Sequence, residues 1–180
     1  IRLPRWLIPA IAGVLVGVLG LLVPGVLGTG YGTVQGFLTT QGVLAVPLGV
    51  LILVPFAKII ATSLSIGSGG SGGIFGPGMV IGATLGAATW SALHALASHL
   101  GLDASVGPSP AVYVIVGMVA VFGAIAHAPV AMLLMVAEMT QNLAVVPPAM
   151  LALAISALIV GETTIYRSQL TTRTDQPALT

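Results

Sequence analysis

Residues 67–82 read GSGGSGGIFGPGMVIG, with eight glycines, one proline and no charge. Gly/Ser runs usually serve as flexible linkers. This one has apolar neighbours on both sides and no polar spacer. Broken backbone among apolar segments calls for another explanation.

The surroundings narrow the choice. The chain has 180 residues and nine formal charges: Arg2, Arg5, Lys58, Asp103, Glu138, Glu162, Arg167, Arg173 and Asp175. Soluble domains carry about a quarter charged residues. Charge-free runs cover 6–57, 59–102, 104–137 and 139–161. A membrane-crossing helix needs about 20 predominantly apolar residues, so each run can hold a crossing. The expected class is an all-α, multi-pass protein of the cell membrane. A net charge of +1 gives no basic face for phosphates, which excludes nucleic acid as a partner. There is no cysteine, hence no disulfide and no thiolate metal site. No cofactor or metal is expected. The chain opens on Ile1 without a cleavable leader and reads as a piece of a longer polypeptide.

Glycine and proline divide the apolar runs. The expected helices are 6–23, a short one near 33–40, 43–66 interrupted at Pro47 and Pro55, 77–100, 111–126, 129–141 and 147–161. A further short helix is expected near Tyr166, and 25–36 is expected to be loop. Gly13 and Gly17, and Gly78, Gly82 and Gly86, have the small-residue spacing that lets helices approach closely. Lys58 can snorkel if it lies near an interface. Interrupted helices in hydrocarbon are tolerated where protein buries them or water lines them, and they point to transport sites.

Four readings of the glycine stretch follow. A linker is the first. The second is a nucleotide site, because Gly67, Gly69 and Gly72 satisfy G-x-G-x-x-G; no preceding strand and no ribose-binding acid support it. The third is an intramembrane serine protease using Ser71 with His94 or His127 as base. The fourth is an anion site. Pro77 suits a first helical turn, leaving the amides of Ile74, Phe75 and Gly76 free, and helix N-termini attract anions. A bare buried anion costs tens of kcal/mol, whereas one helix terminus returns about 0.3–2 kcal/mol. Several donors must therefore converge. No Lys or Arg is expected near the stretch; partial charges, without help from a basic side chain, would hold the ion loosely enough to conduct it.

Three motifs carry a resemblance. Gly73-Ile74-Phe75-Gly76-Pro77 resembles the G-x-F-x-P motif of the CLC chloride channels and proton/chloride exchangers. Residues 128–140, APVAMLLMVAEMT, resemble that family's helix ending in Glu-Met-Thr. Tyr166 stands where the family keeps a pore tyrosine. The resemblance implies tilted, broken and re-entrant helices forming one inverted repeat of a pore domain, residues 1–172 being its second half. Residues 173–180 would lead toward a cytoplasmic region. It implies chloride bound by the amides of Ile74 and Phe75 within the Gly73–Pro77 motif, with the Tyr166 hydroxyl as a further donor. It also implies a homodimer whose contact face includes 129–141 and 147–161, and a partner N-terminal half of the same polypeptide. Gly76 stands where relatives often have alanine. Glu138 admits two readings, a proton relay or a polar helix end beside Thr140, Gln141 and Asn142; the second is preferred. Glu162 reads as a solvated helix end. A scaffold that uses its glycine faces only for assembly is the remaining alternative.

Overall fold

The computed structural model describes residues 4, 7–103, 107–140 and 143–164. Among them are eight α-helices and no strand. They are α1 (Leu7–Leu22), α2 (Tyr31–Phe37), α3 (Thr40–Leu44), α4 (Leu48–Gly67), α5 (Phe75–His99), α6 (Pro110–Ile125), α7 (Pro129–Thr140) and α8 (Val146–Val160). The stretches Leu48–Gly67, Phe75–His99 and Leu143–Val160 are long and apolar enough to cross a membrane. The other apolar helices are shorter, as glycine and proline punctuation implies.

Most boundaries follow local chemistry. Pro47 caps α4 and ends the preceding segment. Pro55 does not divide the helix; it lies buried inside a continuous α4. Pro110 opens α6. The break after α6 is at His127, whose φ of 51° no helix accepts. Prolines occupy the first turn of α8, and Gly161 ends it at φ 59°. One expectation is corrected: 25–36 is not all loop. A 3₁₀ turn occupies Pro24–Val26, and α2 already starts at Tyr31. The burial of Val34 and Phe37 in the core overrides the weak helix propensity of the intervening glycines.

The core is built where α5 meets α6, with α4 and α8 packed alongside. Gly82 and Gly117 face each other so closely that a Cβ on either would strike the other's carbonyl oxygen. Gly86 abuts the Tyr113 carbonyl in the same way. A Cβ at Gly78 would sit 2.5 Å from the Phe122 ring. The glycine face of α5 is thus a helix–helix contact, as its spacing predicts. Gly13 and Gly17 on α1 have no neighbour within 4 Å. Ser156 of α8 donates to the Ala120 carbonyl of α6 at 2.9 Å, linking those two helices.

Candidate functional site at the start of α5

The glycine stretch is a sharp connection between two long helices. At its near end the α4 backbone closes in two bonds. Gly69 N donates to the Ile66 carbonyl at 3.0 Å, and Gly70 N to the Ser65 carbonyl at 3.0 Å. This is a Schellman ending, and Gly69 adopts the φ of 95° that it demands. A Cβ on Gly70 would lie 2.6 Å from the Ser65 oxygen. Residues 69–73 then run exposed, Ile74–Pro77 are half-buried, and Gly78–Val80 are buried. The chain therefore dives inward at the Ile-Phe-Gly-Pro segment.

The helix begins two residues earlier than expected, at Phe75, and Pro77 falls in its first turn. Its first backbone bond is Gly78 N to the Ile74 carbonyl, 3.0 Å. Among the described residues, no backbone or side-chain acceptor takes the amides of Ile74, Phe75 or Gly76. Three successive donors at a positive helix end are left unspent. The Phe75 ring meets Phe122 edge-on, with centroids 4.8 Å apart and planes at 74°. That contact ties the first turn of α5 to α6.

A segment ahead of α2 presses on the same turn. A Cβ at Gly76 would lie 3.7 Å from the Thr29 carbonyl oxygen, and one at Gly30 would lie 2.6 Å from Val80. Lys58 holds this segment. It is 2% exposed, and its ammonium donates to the Val26 carbonyl at 2.7 Å and the Gly28 carbonyl at 2.8 Å. The snorkelling reading of Lys58 is therefore corrected, because carbonyls within the protein, in place of water, accept hydrogen bonds from its ammonium. So is the expectation that no basic group stands near the glycine stretch. Lys58, Thr62, Ser65, Gly72, Gly73 and Pro77 line one cleft of about 180 Å³. The signal was available: Lys58, Thr62 and Ser65 recur at helical spacing, on one face of α4, and Lys58 lies in the middle of an apolar run instead of at its edge.

The structure brings together Gly73, Ile74, Phe75, Gly76 and Pro77. Tyr166 lies outside the described residues, as does the short helix expected there. The protease geometry is not supported. Ser71 is exposed. His94 lies far along α5 from its start, about 28 Å at 1.5 Å per residue, stacked on Trp90 with centroids 4.7 Å apart. Glu138 is exposed near the end of α7, in keeping with the polar helix-end reading.

Comparisons agree with this architecture. Over 97% of its length the chain is 37% identical to a chloride channel protein described as ClcB-like from Ralstonia nicotianae, of which it covers 39%. It is 34% identical over 157 residues to the voltage-gated ClC-type chloride channel ClcB of Escherichia coli, covering 35% of that protein. The chain thus spans well under half the length of these curated relatives. The crystal structure of a slow cyanobacterial Cl⁻/H⁺ antiporter superposes with a TM-score of 0.53 at 27% identity, over 89% of this chain and 45% of that one. The family model described as voltage gated chloride channel matches residues 1–161. With three helices able to cross a bilayer and a family model matched over most of its length, this all-α chain is a multi-pass membrane protein and belongs to the voltage-gated chloride channel family.

Proposed function

We propose that the full-length protein moves chloride across the membrane as a transporter, not an enzyme, and that the start of α5 is part of its anion path. The observation carrying this reading is that, among the described residues, nothing accepts the amides of Ile74, Phe75 and Gly76 at a half-buried helix start. Backbone N–H groups and the helix dipole together favour an anion there. Gly73 leaves room for approach, Pro77 fits the first helical turn where its missing amide would be unpaired anyway, and the Tyr166 hydroxyl adds a further donor. One helix terminus is worth at most about 2 kcal/mol, so the remaining donors must converge from elsewhere in the protein. A complementary N-terminal half supplies them in this reading. The open Gly13–Gly17 face and the exposed apolar residues of α1 support such a packed neighbour. The whole assembles as a homodimer, with α7 and α8 contributing to the contact; exposed Leu151, Leu158 and Ile159 on α8 support that.

The test is isotopic chloride uptake into liposomes containing the full-length protein. Gly73→Val and Tyr166→Phe are expected to lower uptake or change the chloride-to-nitrate preference. Unaltered uptake and preference in both variants would remove the site. Recording external pH during uptake separates coupled exchange, which moves protons, from a channel, which does not.

A further inference from the structure

We propose that Lys58 is the fixed positive charge that strengthens anion binding at the start of α5, a role that rests on the anion site proposed above. An ammonium has three N–H donors. Two are taken by the carbonyls of Val26 and Gly28. Among the described residues, no carboxylate lines the cleft that Lys58 shares with Gly72, Gly73 and Pro77. Carbonyl dipoles solvate the cation but leave its net charge. A buried charge is poorly screened by salt, and the cleft joins Lys58 to Gly73 and Pro77, which flank the three amides.

The arrangement also explains how a lysine can serve a site that must release its ion. Conduction needs binding strong enough to admit an ion and weak enough to let it go. An ammonium free to close on the ion would hold it too firmly. Here both carbonyl bonds tether Nζ to segment 26–28, and the charge acts through space. The same bonds seat Thr29 and Gly30 against the first turns of α5, so Lys58 is a positioning residue as well as a charge.

The experiment measures chloride affinity of the purified full-length protein by titration calorimetry. Lys58→Met and Lys58→Gln are expected to weaken binding by about tenfold or more, the effect of removing a unit charge that faces the same cleft at intermediate dielectric. Lys58→Arg is expected to stay within about threefold, because the charge persists and a guanidinium can still donate to two carbonyls. Thr62→Glu tests the charge without touching Lys58, and covers the case in which the neutral variants do not fold. Its carboxylate, one turn away in the same cleft, is expected to give a loss like that of Lys58→Met. Wild-type affinity in folded Lys58→Met, Lys58→Gln or Thr62→Glu overturns the inference. So does a loss in Lys58→Arg as large as in Lys58→Met. A wild-type protein that binds no chloride would instead overturn the anion site itself.

Discussion

Glycines that look interchangeable in GSGGSGG have unlike roles. Gly69 sits at φ 95° and terminates α4. A left-handed residue with a Cβ costs about 1–2 kcal/mol. Gly69→Ala is therefore expected to destabilise the protein by about 1 kcal/mol, read as a lower Tm of the full-length protein in detergent. Gly72 has no positive φ and no neighbour within 4 Å. Gly72→Ala is expected to change stability by less than about 0.5 kcal/mol. Equal losses at the two positions would refute the assignment of the helix stop to Gly69. Composition made the break visible and Pro77 marked the following helix start. Which glycine carries the strained φ was not legible, because it depends on where α4 runs out of partners for its carbonyls. Lys58 was misread for a related reason: hydropathy registers that a charge lies in an apolar run, but not that carbonyls 32 and 30 residues away will solvate it.

Between elements, two kinds of contact join the helices, and their magnitudes differ. The crossing of α5 and α6 brings backbone to backbone at Gly82 and Gly117. A side chain there can be relieved only by moving a helix, since a carbonyl has no rotamer to change. Overpacking of a core costs about 1–3 kcal/mol, and Gly82→Val is expected at or beyond the upper end. Between α6 and α8 the link includes one hydroxyl bond, Ser156 to Ala120. Such bonds average about 0.6 kcal/mol between membrane helices, so Ser156→Ala is expected to lower Tm only slightly. A Ser156→Ala loss exceeding that of Gly82→Val would show that polar links dominate the bundle. The Gly-x₃-Gly spacing of α5 was legible because it repeats with the helical period. The early start of α2 was not, since its helix is held by burial of Val34 and Phe37 and not by its own sequence.

At the scale of the molecule, the anion and the fold should stabilise each other. The described fold begins α5 with three unaccepted donors beside a buried ammonium with no acid among the described residues lining its cleft. Both are costs of folding when no anion is present, since unpaired polar groups and charges resist burial. An anion that binds the folded protein and not the unfolded chain stabilises it by mass action. The gain is about 2.7 kcal/mol at a concentration of 100 Kd. The Tm of the full-length protein is therefore expected to rise with chloride concentration and to show no such rise with gluconate, a bulky anion that the proposed site is expected to reject. Ionic strength is held constant, so general screening cannot produce the difference. Lys58→Met makes the argument sharper. It removes the charge that favours the anion, so its Tm should depend less steeply on chloride than the wild type's, whatever its Tm without chloride. A chloride dependence shared equally with gluconate, or undiminished in Lys58→Met, would mean that the unspent donors and the ammonium are satisfied without an ion.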